Sequence, residues 1–219
     1  MIFWRNVGCA AETQGRYRPH NDRLHWLVLL AFISQIVLRV RTRLLPHIER
    51  GMLALGWLRA NEALHEPRCQ RVVFVCSGNI CRSPYAEVIA RMQGLRAVSC
   101  GTHTETGLPA DKTAITEAAR RAVDLNPHRT TRWEDFELED GDLLVAMQLR
   151  HALVVLPRAR ARGCPVVMLS SFLLPQFAPV WDPFGKQSPE FQRAFDLIDA
   201  GVHSLSRWRN LREVAHGRA

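Results

Sequence analysis

Cys76-Ser77-Gly78-Asn79-Ile80-Cys81-Arg82-Ser83-Pro84 stands directly after the apolar run Val72-Val73-Phe74-Val75. A short β-branched run reads as a buried strand, and Pro84 suits the first turn of a helix. The segment therefore reads as strand, tight loop, helix. Five residues separate Cys76 from Arg82. In a loop of that length the backbone N–H groups of Ser77 to Ser83 turn inward as an anion nest, backed by the positive end of the helix. Cys76 lies at the floor of the nest, and Arg82 closes over the same anion with a planar, bidentate fork. Nest, helix end and guanidinium all favour a thiolate, so the stretch predicts a cysteine placed to attack phosphorus. A buried structural cysteine beside a surface arginine is the bland alternative, since Cys is often fully buried. It leaves the Gly, Asn, Ser and Pro at these positions unexplained.

From Arg71 onward the pattern alternates strand and helix. Strands are predicted near 72–75, 96–99, 142–146 and 165–169. Helices are predicted near 84–93, 110–123, 148–156 and 189–209, with a shorter one near 132–137. Such alternation implies an α/β fold, a four-stranded parallel sheet covered by helices on both faces. The right-handed crossover rule gathers the loops that follow the strands along one edge. Cys76 follows the first strand and Asp182 follows the fourth, so both belong to the carboxyl edge, where open α/β sheets bind ligands. Asp-Pro is also a common turn pair. Its place opposite the cysteine loop makes Asp182 the candidate general acid.

The 219 residues suit one domain plus an extension, with a boundary at 69/70. Residues 1–70 carry ten basic and five acidic side chains, a net of +5, against 19 and 16, a net of +3, over the remainder. The basic excess lies in the N-terminal third and is nearly all Arg; only Lys112 and Lys186 are Lys. No nucleic-acid module or aromatic-interleaved basic stripe accompanies it, so no nucleic-acid partner is expected. The six cysteines show no zinc spacing; neither metal nor cofactor is expected. A reactive Cys76 must stay reduced, which predicts the cytoplasmic side.

After a polar stretch over 1–23, Leu24 to Leu38 runs fifteen residues without Asp, Glu, Lys or Arg, followed by Arg39, Arg41 and Arg43. A bilayer span takes about 20 apolar residues. A second helical stretch is predicted at about 48–63. This α-helical extension, residues 24–60 above all, has three readings. It packs on the following domain or on a second copy, it lies in a membrane interface with Arg near anionic headgroups, or it spans. The interfacial reading would put the chain at the inner face of a membrane.

The loop resembles the phosphate loop of the low-molecular-weight protein-tyrosine phosphatase family, and the resemblance continues in order through residues 70 to about 210. Ser99-Cys100-Gly101-Thr102, Gly107-Leu108-Pro109-Ala110, Asp124-Leu125-Asn126-Pro127-His128-Arg129 and Trp181-Asp182-Pro183-Phe184-Gly185 are similar to the family's later motifs. The resemblance implies a metal-independent phosphatase that hydrolyses phosphotyrosine proteins through a phosphocysteine. Bacterial relatives oppose tyrosine kinases, so such a kinase is the implied partner. It implies Cys76, Arg82, Asp182 and Ser83 as catalytic residues, with Ser77, Gly78, Asn79, Ile80, Cys81, Arg82 and Ser83 around the phosphate. Ser83 donates to the Cys76 sulfur, caps the helix, or does both. Asn79 holds a left-handed backbone. Ile80 and Phe184 form pocket walls; the family usually has Tyr at the latter place. Cys81 is either a redox partner for Cys76 or packing beneath the loop. Gln148 stands where the family usually has Asp, and no role is carried to it. The alternatives are a phosphoarginine phosphatase, whose members carry a small polar residue where Ile80 stands, and a thioredoxin-coupled arsenate reductase, which needs further thiols in relay. A non-catalytic phosphate-binding scaffold is the third.

Overall fold

In the computed structural model the described residues are 70–173 and 179–216. The N-terminal extension and its predicted helices lie outside them. The apolar run after Gln70 forms β1, Arg71–Cys76, with every residue buried. Both faces of this strand are covered, which is why its sequence is continuously apolar rather than alternating. It is the second strand of a parallel sheet in the order β2-β1-β3-β4, where β2 is Ala97–Gly101, β3 Asp142–Ala146 and β4 Val166–Met168.

The alternation of side chains along β1 divides the core in two. Val72 and Phe74 face one side with Leu143, Val145 and Val167, under helices α1 (Arg82–Met92), α2 (Lys112–Ala119) and α4 (Ser188–His216). Val73 and Val75 face the other with Leu144, Ala146 and Met168, under α3 (Leu149–Ala161) and the Trp133–Phe136 turn. On the first side Tyr85 stacks on Phe195 with centroids 3.8 Å apart, and its hydroxyl donates to Asp199 Oδ1 at 2.9 Å. This pairing ties α1, and with it the loop before α1, to the long C-terminal helix.

Four predicted elements differ in extent, and the last helix, predicted over 189–209, runs from Ser188 to His216. Residues 132–137 form no helix: Arg132 bridges to Gly101, the Trp133 N–H donates to the Gly101 carbonyl, and the Asp135 and Phe136 N–H groups close only a single turn, onto the Arg132 and Trp133 carbonyls. α2 stops at Ala119 because Ala122 takes a φ of 58° and the Val123 N–H turns back to Ala118, the geometry of a left-handed helix end. α3 runs on through Pro157. The carbonyl that loses its bond there belongs to exposed Leu153, where water can serve it. Among the described residues no helix is long and apolar enough to cross a membrane.

One glycine positions the loop after β1. A Cβ on Gly101 would sit 2.7 Å from the Ser77 carbonyl oxygen and 3.0 Å from Asn79 Cβ. The edge strand touches the loop backbone here, and only a missing side chain permits it. Gly101→Ala is expected to cost about 1–3 kcal/mol by overpacking. Urea unfolding of the variant against the parent measures it, and an unchanged midpoint would show that the loop yields freely.

Candidate active site

Cys76 ends β1 with 2 % of its surface exposed, and the loop bends back over its sulfur. The Asn79 N–H donates to Sγ at 3.3 Å, and Ser83 Oγ lies 3.0 Å from Sγ. Asn79 has a φ of 51°, the left-handed conformation that Asn tolerates better than other non-glycine residues. Its side chain is buried and fully engaged. Oδ1 accepts from the Thr131 N–H at 2.8 Å, which fixes the amide's orientation because a backbone N–H can only donate. Nδ2 then gives one hydrogen to Ser83 Oγ at 2.9 Å and the other to Ser99 Oγ at 2.8 Å. Ser83 Oγ therefore accepts from Asn79, and its own proton is available to the Cys76 sulfur when that is a thiolate. Ser83 lies inside the first turn of α1, and the cap position belongs to Cys81, which makes no side-chain cap bond. The helix-capping reading of Ser83 is thus corrected: its oxygen is committed to Asn79 and the thiol.

The chain of bonds extends to the sheet edge. Ser99 donates to Glu87 Oε2 at 2.5 Å, and His128 Nε2 meets the Asn79 carbonyl at 2.7 Å. Burial, above all, raises the Glu87 carboxyl, opposed by Ser99 and Arg91. Burial likewise lowers His128, against the pull of the Asn79 carbonyl. His128 is neutral at neutral pH and donates to that carbonyl.

Arg82 is 1 % exposed, and its guanidinium reaches across the sheet edge. Its NH1 donates to Gln148 Oε1 and to the Val180 carbonyl, each at 3.0 Å, and its NH2 lies 2.6 Å from Asp182 Oδ2. Arg150 NH2 approaches the same carboxylate oxygen at 3.4 Å. Arg82 Nε is buried without a partner among the described residues. Gln148, given no role by the sequence, is thus a direct partner of Arg82.

A cleft of about 230 Å³ opens over Cys76 and brings together Ser77, Gly78, Ile80, Cys81, Arg82, Asp182 and Phe184. His103, which the sequence did not single out, also lines it. Asn79 and Ser83 do not; they stand buried beneath the floor as its supports. Phe184 is 58 % exposed at the mouth. Cys81 is buried, and burial first, then Asp111 and Cys76, push its thiol well above the usual range. The described cysteines are all free, and Cys100 and Cys164 belong to the core on the opposite face of the sheet from Cys76.

His151 was not legible in the sequence. It sits one turn into α3, and its Nε2 is 3.0 Å from Ser77 Oγ and 3.3 Å from Arg150 Nε. The arginine N–H can only donate, so Nε2 accepts and the Ser77 hydroxyl donates to it. Burial first, then Arg82, Arg150 and His103, hold this imidazole down to about 2. A histidine among apolar residues is ordinarily a core histidine, and only the contact across 74 residues to Ser77 marks it.

A cysteine and an arginine in one loop at the carboxyl edge of a parallel α/β sheet define a class, the cysteine-based phosphate-ester hydrolases. The chain belongs to the low molecular weight phosphotyrosine protein phosphatase family, whose model matches residues 71–216. It is 31 % identical over 133 residues to the probable low molecular weight protein-tyrosine-phosphatase EpsP of Ralstonia nicotianae, covering 60 % of this chain and 90 % of that one. It is 29 % identical over 130 residues to the low molecular weight protein-tyrosine-phosphatase Etp of Escherichia coli, covering 58 % and 86 %. The fold is shared with the YwlE arginine phosphatase of Geobacillus stearothermophilus, with a TM-score of 0.58 at 21 % identity over 67 % of this chain and 97 % of that one.

His151 makes stability depend on pH. Below its ordinary value of 6.5 the unfolded chain binds a proton here that the folded chain refuses down to about 2. The unfolded state then holds more protons, so stability falls as pH falls. Between pH 7 and 5 the parent is expected to lose about 1–2 kcal/mol more than His151→Gln. Denaturant titrations at both pH values measure the difference, and parallel losses would refute the assignment.

Proposed function

We propose that Cys76 is the nucleophile of a two-step phosphotyrosine hydrolysis and Asp182 its general acid. In the first step the thiolate attacks phosphorus in line with the phenolic oxygen. The S–P bond forms, the P–O bond breaks, and Asp182 gives its proton to the leaving oxygen. In the second, water takes the phosphoryl group, Asp182 accepts the water's proton, and the thiolate leaves. The Ser83 proton, directed at Sγ by Asn79, stabilises the thiolate before attack and on departure. Loop N–H groups and Arg82 hold the equatorial oxygens, where charge gathers in a loose transition state.

The observation that carries this reading is the convergence of Cys76, Arg82 and Asp182 on one cleft, with Arg82 and Asp182 2.6 Å apart. An arriving phosphate dianion competes with Asp182 for Arg82, which frees the carboxyl to take up the proton it must donate. The unpartnered Arg82 Nε supports an oxyanion seat on the same guanidinium. Ile80 and Phe184 on the cleft walls suit a flat aromatic ring and favour phosphotyrosine over phosphoarginine. The seats of Cys100 and Cys164 in the far core argue against a thiol relay of the arsenate-reductase kind.

Cys76→Ser is expected to abolish turnover while still binding vanadate, because the nest is backbone. Asp182→Asn should slow phenyl phosphates with poor leaving groups by about 100-fold or more and para-nitrophenyl phosphate far less. A uniform loss across the leaving-group series would remove Asp182 from the acid role. Phosphoarginine peptides turned over faster than phosphotyrosine peptides would reverse the substrate assignment.

We also propose that residues 1–69 serve location rather than catalysis. The family match and β1 both begin at residue 71, which supports a boundary near 70. The uncharged run 24–38 and the arginines after it suit an anionic membrane surface or a second copy. A chain beginning at Pro67 is expected to be soluble and active, while the full chain floats with anionic liposomes or self-associates in light scattering. An insoluble truncated chain would place the extension in the core.

A further inference from the structure

The start of α3 meets the catalytic guanidinium with one neutral group, Gln148. Gln148 stands at the N-cap position of α3, but its side chain makes no cap bond; Oε1 goes to Arg82 NH1 at 3.0 Å instead. The Val180 carbonyl accepts from the same nitrogen. Gln148 and His151 are 7 % and 1 % exposed, and the imidazole is neutral at working pH. Arg150 adds a cation on the same turn. Among the described residues Asp182 is the sole carboxylate paired with Arg82, and its side chain is 35 % exposed.

A carbonyl orients a guanidinium as a carboxylate does but leaves its charge uncompensated. In a site this dry the difference is large, because interior charges are weakly screened. We infer that Gln148 is a positioning residue that aims Arg82 through a neutral carbonyl, so that the full cationic charge of Arg82 remains available to a phosphoryl dianion. The inference rests on Cys76 and Arg82 acting as proposed above. It also gives the chain's departure from the family's usual Asp a physical consequence. A buried carboxylate at 148 would form a standing ion pair with NH1, whereas Asp182, at the cleft mouth, can exchange its place for the substrate.

The field at the cysteine can be read directly by alkylating Cys76 with anionic iodoacetate and with neutral iodoacetamide. Both reagents need the thiolate, so the ratio of their rates cancels the thiolate fraction and reports the local charge. Gln148→Glu keeps the length of the side chain and adds one charge. It is expected to lower the ratio on the order of tenfold and to raise the inhibition constant for inorganic phosphate by a similar factor. Gln148→Met keeps the length without the carbonyl; it should leave the ratio within about twofold of the parent, since it changes no charge, while lowering kcat/KM because Arg82 loses a tether. Gln148→Asp provides the same test if the Glu variant does not fold. An unchanged ratio in the folded acidic variant, or an equal fall in Gln148→Met, would overturn the inference. A parent enzyme in which phosphate fails to protect Cys76 from iodoacetate would overturn the underlying reading of the site instead.

Discussion

The site depends on one buried amide. Asn79 is fully enclosed, takes a left-handed backbone and uses both ends of its side chain: Oδ1 on Thr131, Nδ2 on Ser83 and Ser99. The bonds to Ser83 and Ser99 lie in a dry interior, where an unmade partner costs about 1–3 kcal/mol. The loop therefore has little freedom to relax. The same bonds decide proton placement. With both amide hydrogens given away, Ser83 keeps its own proton, which a Cys76 thiolate can accept, and Ser99 points its own at Glu87. A loop of seven residues thus acquires a defined direction of hydrogen bonding from partners on β2, α1 and the segment before the 132–135 turn.

Charge is arranged around the cleft as deliberately as hydrogen bonds. Arg82 is buried, and burying a lone cation is costly. Carbonyls from Gln148 and Val180 and the carboxylate of Asp182 meet most of that cost. Only one of the three can cancel charge, and that one stands at the mouth, where it can yield to a substrate. His151, beside the loop, is held neutral by burial and by the cations around it. The result is a pocket in which fixed neutral groups hold a fixed cation.

The sheet supports this arrangement by close packing. Two cores on opposite faces clamp β1, and the stacked pair Tyr85–Phe195 holds the helix that follows the loop. At the edge, Gly101 brings the β2 backbone against the Ser77 carbonyl at a distance that excludes any side chain. Asn79 can reach Ser99 across that narrow gap because β1 and β2 pair with Phe74 opposite Ser99.

The local features were legible in the sequence because they are matters of short spacing. The cysteine and arginine with five residues between them, the apolar run before them, the proline after them and the strand–helix alternation each rest on periodicity or on loop closure within a few residues. They fixed the sheet, the loop and its two ends, and the Asp-Pro loop followed from the carboxyl-edge rule. The partners of Arg82 and Ser77 on α3, Gln148 and His151, are 66 and 74 residues away in the chain. Nothing local distinguishes a glutamine before a helix or a histidine within one. The turn at 132–135 was misread for a similar reason: its residues suit a helix, but its start is tied to Gly101 and only one turn closes after it. Sequence alone determined which chemistry the loop could hold. The tertiary structure decided where its protons point and which charges remain uncompensated, because both depend on side chains that only the folded sheet brings within hydrogen-bond reach.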